Sequence, residues 1–217
     1  MKSALTTIPL FSNIPHESLE LLSTRIQNRT YGRNSVIIAE GEQSDSLYIL
    51  IEGRVKIYIS AADGREMQLK TLDPGDYFGE LALIDNKPRS ASAITISDCN
   101  ISVITSKDLL QCLSCNPEIT INMLQVLAKR LREATESQRQ LALMDVYGRL
   151  RCTLMTLCKE VNNTLLLEPK PTQQDFANMI GASREMVSRI FKDLKADGYI
   201  ETCKASITIR KALPEKW

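Results

Sequence analysis

Histidine is almost missing from this chain. His16 is the only one in 217 residues, and histidine is the side chain whose ordinary pKa changes its charge near neutral pH. That leaves little for acid–base chemistry, and the sequence assembles no nucleophile–base pair or metal triad, so an enzyme is not expected. Metal-ligand spacing is missing too. Of six cysteines, Cys112 and Cys115 form a single CxxC with no second pair, whereas a structural zinc site takes four ligands at recurring spacings. No metal is expected, and the cysteines read as reduced thiols packing as small hydrophobes. No apolar run approaches the roughly 18 residues of a membrane span. The segment from Met1 to Ser18 carries one lysine and is interrupted by Pro9 and Pro15, unlike a signal peptide. A cytoplasmic protein with no membrane partner is the expectation. Strong net charge is also absent: the formal value is +1, which by itself argues neither for nor against nucleic acid.

What is present is uneven. Residues 1–141 carry 15 basic and 17 acidic side chains, residues 142–217 carry 12 and 9, so only the C-terminal part is mildly basic, as a phosphate-contacting module would be. Near the start, Asn13 as N-cap and Ile14, Leu19, Leu22 and Ile26 at helical spacing predict a short helix. From Arg33 onward the chain becomes short β-branched runs punctuated by Gly41, Gly53, Gly64 and Gly75, which predicts six or more strands in a β-sandwich or β-roll. Embedded in them is FGELALIDNKPRSASA, residues 78–93. Gly79 permits a tight turn, Glu80 can accept from paired hydroxyls, and Arg89 offers a forked cation beside Ser90. Taken singly, these residues would equally serve a hairpin turn and a solvated cation. As a set at fixed spacing they are a kit for a phosphate and a sugar.

Gly79-Glu80-Leu81-Ala82-Leu83, five residues, then Arg89-Ser90-Ala91 resembles the phosphate-binding cassette of cyclic-nucleotide-binding domains. Ile37-Ile38-x-x-Gly41 and Leu47-Tyr48-Ile49-Leu50-x-x-Gly53 resemble the same domain, with Ser44 where that family has Gly, Ala or Cys. After two more strands and a helix over SKDLLQCLSC, Asn116-Pro117-Glu118 opens a long helix that should run to about Leu141. Along it Leu124, Leu127, Leu131, Ala134, Gln138 and Leu141 recur at spacings of three and four, the seam of a two-stranded coiled coil or, with the same spacing, an internal core face.

Further on, Thr172-Gln173-Gln174-Asp175 has the form of a capping box, Gly181 allows a turn, and Ser183 can cap a helix from Arg184. This is a helix-turn-helix. At 100° per residue Arg184, Glu185, Ser188 and Arg189 share an arc of about 140°, while Met186, Val187, Ile190, Phe191 and Leu194 are expected on the packed side. Arg can fork onto guanine and Glu can accept from cytosine in the major groove. YIETC and SITIR can then pair around Lys204-Ala205 as a wing.

Residues 171–210 resemble the winged helix-turn-helix of the CRP/FNR regulators, and LALMDVYGRLRCTLMTLCKEV resembles that family's hinge, with Asp145 and Gly148 as candidates, and the helix after it. The resemblance runs through nearly the whole chain. It implies an α+β protein with a cyclic-nucleotide-binding β-roll at 1–116, a dimerisation helix at 117–141 and a winged helix-turn-helix at 142–217. It further implies a homodimer that binds cAMP and then inverted-repeat DNA with TGTGA-like half-sites, and that works with RNA polymerase. Carried over by position, Arg89 pairs with the cyclic phosphate, Ser90 donates to it, and Glu80 accepts from the ribose 2'-hydroxyl beside Gly79, Leu81 and Ala91. Arg130 stands near the phosphate. The threonine that meets the adenine amino group becomes Ala134, and the serine reaching from the partner subunit becomes Thr135. Thr172, Gln173, Ser183, Arg184, Glu185, Ser188, Arg189 and Lys192 are the DNA-facing set. A cyclic dinucleotide in place of cAMP, a haem or redox sensor on the same scaffold, or a regulator working without ligand stays open.

Overall fold

The computed structural model describes residues 8–12, 15–43, 45–161 and 164–215. Asn13, Ile14 and Ser44, on which three of the expectations above rest, lie outside them. The chain divides into two compact units, Met1–Leu131 and Arg132–Trp217, and mixes helix and sheet as an α+β protein.

In the first unit, helix α1 (His16–Ser23) follows Pro15, its N-terminal flanking residue. It is shorter than the expected Ile14–Ile26: Ile26 lies beyond the helix but packs with Leu19 and Leu22 on one apolar cluster. Strands β1 (Gln27–Tyr31), β2 (Val36–Ile38), β3 (Ser46–Glu52), β4 (Val55–Ser60), β5 (Glu66–Leu72), β6 (Tyr77–Phe78), β7 (Ser92–Thr95) and β8 (Cys99–Thr105) form two four-stranded sheets, ordered β1-β8-β3-β6 and β2-β7-β4-β5. The central pair β3–β8 runs antiparallel from Ser46↔Thr105 to Glu52↔Asn100, with a register shift between Leu50 and Glu52.

Period-2 alternation explains where the core lies. Along β3, Tyr48 and Leu50 join Val55, Leu72, Phe78, Ile101 and Val103 in one cluster, whereas Leu47 and Ile49 face a second with Leu10, Phe11, Tyr77 and Ile104. Both faces of the strand are therefore buried. The second cluster is closed by Leu109 of helix α3 (Ser106–Cys115) and by Ile119 and Met123 of helix α4 (Pro117–Leu143). At the junction of those helices Asn116 Nδ2 donates to the Cys112 carbonyl at 3.0 Å, and the Asn116 carbonyl accepts from Ile119 N–H at 3.1 Å. Gly41, Gly53, Gly64 and Gly75 all have positive φ. At Gly53 an added Cβ would stand 2.2 Å from the Asp98 carbonyl, so that turn admits no side chain.

Helix α4 continues unbroken to Leu143. Leu124 and Leu131 on the expected seam are 59% and 69% exposed, which rules out an internal core face for them; Leu127 packs partly inward.

The second unit holds helix α5 (Val146–Leu157), strands β9 (Lys159–Val161) and β10 (Thr164–Leu167), helices α6 (Gln173–Ile180) and α7 (Arg184–Ala196), and strands β11 (Ile200–Thr202) and β12 (Ile207–Ile209). Asp145 caps α5, its Oδ1 accepting from Gly148 N–H at 2.7 Å. Gly148 thus sits inside the first helical turn rather than in the link. The wing hairpin pairs Ile200↔Ile209, and β12 continues onto β10 and β9. Strand β9 falls where the sequence reads as the end of a helix. Leu150, Leu154, Phe176, Ile180, Val187, Phe191 and Ile207 form this unit's core.

Candidate functional sites

The cassette is built around backbone geometry that only glycine supplies. Gly79 flanks helix α2 (Glu80–Asp85) with φ +84°, a six-residue turn of helix absent from the sequence reading. A Cβ on Gly79 would stand 2.5 Å from Arg89 Nη1, so a side chain there would collide with the guanidinium. Arg89 is 4% exposed. Its Nη1 donates to the Gly79 carbonyl at 2.5 Å and its Nη2 to the Ser46 carbonyl at 2.7 Å. Its backbone is pinned as well, N–H to the Glu42 carbonyl at 2.9 Å and carbonyl from Gly41 N–H at 2.8 Å. Burial pulls the Arg89 pKa below its ordinary value, while Tyr48 and the carboxylates of Glu80, Asp45 and Glu42 oppose that shift. A guanidinium held so firmly is oriented before any anion arrives.

Glu80 is 2% exposed and is met at 2.7 Å by Arg130 Nη1 from α4. Arg130 Nη2 also donates to the Tyr77 carbonyl, its Nε is buried without a hydrogen-bond partner among the described residues, and the guanidinium stands over the Tyr77 ring. Burial raises the Tyr77 pKa, helped by the Glu80 charge, so its hydroxyl stays a donor toward the Met123 carbonyl. An ionised carboxylate accepts at more lone pairs than one guanidinium contact uses, which leaves Glu80 able to receive hydroxyls. Leu81 and Ser90 are exposed and Ala91 is half-buried beside them. The structure thus gathers Gly79, Glu80, Arg89 and Arg130 at one place, with an exposed hydroxyl at Ser90. Ala134 and Thr135 lie on α4 beyond Leu131, exposed, in the second unit. The Ser46 carbonyl and Tyr77, both structural supports here, carried no sequence signal because backbone acceptors are anonymous in a sequence.

In the second unit the capping box is complete: Thr172 Oγ1 accepts from Asp175 N–H at 3.1 Å while Asp175 Oδ2 accepts from Thr172 N–H at 2.8 Å. Gly181 closes α6 with φ +62°. Ser183 Oγ accepts from Met186 N–H at 3.2 Å and opens α7. Val187, Ile190, Phe191 and Leu194 are buried; Arg184, Glu185, Arg189 and Lys192 are exposed, with Ser188 half-buried between them. Those four charged residues form no ion pair among the described residues. Met186 departs from expectation, lying on the exposed side at 43%. A cleft of about 490 Å³ opens between α6, α7 and the wing, bordered by Thr172, Gln173, Arg184, Lys170 and Lys195 among others, with no carboxylate of the described residues lining it. Lys170 and Lys195 escaped the sequence reading. Lys170 Nζ bonds to the Cys203 carbonyl at 2.6 Å, a tertiary contact to the wing that spacing does not reveal.

All six cysteines are free thiols. Among the described residues no three His, Cys, Asp or Glu side chains gather as metal ligands, and no helix is long and apolar enough to cross a membrane.

The model of the cyclic nucleotide-binding domain matches residues 28–116 and that of the Crp-like helix-turn-helix domain residues 148–213. A CRP-like cAMP-activated global transcriptional regulator of Mycobacterium tuberculosis is 33% identical over 96% of this chain and 95% of its own. The cAMP-activated global transcriptional regulator CRP of Pasteurella multocida is 34% identical over 88% and 94%. Among solved structures, the c-di-GMP responsive global regulator CLP of Xanthomonas campestris superposes with a TM-score of 0.81 at 26% identity, covering 91% of this chain and all of that one.

Proposed function

Since the chain belongs to the CRP/FNR family of transcription regulators, with a cyclic-nucleotide-binding domain and a Crp-like DNA-binding domain, we propose that it is a homodimer that binds cAMP and then an inverted-repeat operator with TGTGA-like half-sites, acting in the cytoplasm with RNA polymerase rather than as an enzyme. In this reading residues 1–116 bind the nucleotide, 117–141 hold the dimer together and 142–217 bind DNA. The observation that carries the effector is Arg89, buried and clamped by two carbonyls beside Glu80. A buried cation with a carboxylate next to it suits one phosphate and one vicinal hydroxyl, the two ends of a cyclic nucleotide's ribose. Arg89 would pair with the phosphate, Ser90 would donate to it, Glu80 would accept from the 2'-hydroxyl, and Arg130 would couple that carboxylate to α4. For DNA the support is the charged face of α7, unpaired among the described residues, and the cleft beside it, which no carboxylate of those residues lines.

Calorimetric titration with cAMP, cGMP and c-di-GMP tests the effector. We expect cAMP to bind and Arg89→Leu to weaken it by well over tenfold, since the phosphate would be desolvated without its partner. Unchanged affinity in that variant would sink the assignment. A second reading is favoured by the likeness to a c-di-GMP responsive regulator, and it agrees with the family resemblance, which puts Ala134 in the position of a hydroxyl that meets the adenine. If c-di-GMP alone gives heat, that reading replaces the first. If cAMP binds, Thr135→Ala should weaken it and Ala134→Thr strengthen it, each by a few fold, the range of one neutral hydrogen bond.

A further inference from the structure

Helix α7 segregates its surfaces except at one residue. Met186, third in the helix, is 43% exposed. At 100° per residue it lies about 60° round from Arg189 and about 100° from Glu185. Being three residues from Arg189, it is also that side chain's neighbour along the helix surface. An unbranched, adaptable apolar arm therefore stands among the groups proposed to meet base edges, in the first turn, the part of a recognition helix that lies deepest in the major groove. That groove offers hydrogen-bonding edges everywhere and a single apolar group, the C5 methyl of thymine. Glu185 and Arg189 have no use for a methyl; Met186 has no use for anything else there.

We infer that Met186 reads the C5 methyl of one thymine in each half-site, adjacent to the base pairs met by Glu185 and Arg189. Specificity at that position is then set by loss of apolar contact rather than by a hydrogen bond, so uracil is discriminated against although its base-pairing edge is unchanged. This rests on the proposed DNA reading by α7, and the experiment separates the two. The full-length protein, with its effector, is first used to select an operator from random DNA. Each thymine of one half-site is then replaced singly by deoxyuridine and affinities are measured. One replacement should weaken wild-type binding by about fourfold, the value of one buried methyl, and Met186→Ala should bind the thymine and uracil operators equally at that position. Cytosine placed there and methylated at C5 should gain affinity for wild type but not for Met186→Ala. Because Met186 is exposed and alanine favours helix, the variant keeps the fold. A selected operator that tolerates uracil at every thymine, or uracil effects that all persist in Met186→Ala, overturns the inference and leaves DNA binding standing. Failure to select any operator overturns both.

Discussion

Arg130 and Glu80 meet at 2.7 Å where the carboxylate is almost wholly buried, so neither is neutral ground for mutation. Removing one partner of a buried pair leaves an uncompensated charge. Arg130→Leu should therefore destabilise the first unit by about 3 kcal/mol, read as an earlier loss of β-sheet signal in urea. Glu80→Gln in the same chain should restore most of that loss while leaving nucleotide binding impaired, since an amide is a poorer acceptor for the ribose hydroxyl. If the double variant is no more stable than Arg130→Leu alone, the pair is not what holds this corner. At this scale the sequence was legible where chemistry is carried by side-chain type: Gly79, Glu80, Arg89 and Ser90 announce themselves by identity and spacing. It was illegible where chemistry is carried by backbone, as with the Ser46 and Gly79 carbonyls that orient Arg89. Met186 was misplaced because a helical wheel assigns an apolar residue to the packed side, whereas the exposed arc of α7 extends far enough to include it.

Helix ends were legible where a full capping signature marks them, because an end is a local hydrogen-bonding problem, whereas α1 begins after Pro15 and not at the cap expected from Asn13. The box at Thr172 and Asp175 and the cap at Ser183 are formed as the sequence requires. Length depends on what packs against the helix. Thus α1 stops at Ser23, α2 appears inside the cassette, and β9 takes residues that continue a helical pattern, since pairing with β10 outweighs local preference. Thr172→Ala removes one of the two reciprocal bonds at the start of α6. We expect a loss of about 1 kcal/mol in the second unit, followed by its own thermal transition in the full chain. Thr172→Ser, which keeps the hydroxyl, should recover it. Equal melting of both variants with wild type would mean that packing of Phe176 and Ile180 holds the helix without its cap.

For the whole molecule the decisive feature is the row of leucines along α4. The spacing alone allowed a seam or an internal face, and exposure of Leu124 and Leu131 removes the internal face for those two. Leu131→Lys should place a charge at the centre of the proposed subunit contact. We expect sedimentation velocity to show a monomer where wild type is a dimer, and operator affinity to fall by more than tenfold; a dimer that survives would locate the contact elsewhere. In the proposed dimer those same leucines tie activity to abundance. A contact made by two copies obeys mass action, so each tenfold dilution subtracts about 1.4 kcal/mol from its advantage. The melting temperature should climb with total protein, and effector titrations run on dilute and on concentrated samples should not superimpose. At doses where the chain is mostly monomeric and its operator unsaturated, halving the dose would lower the response of the proposed dimer by more than half, because the dimer then falls as the square of the free chain.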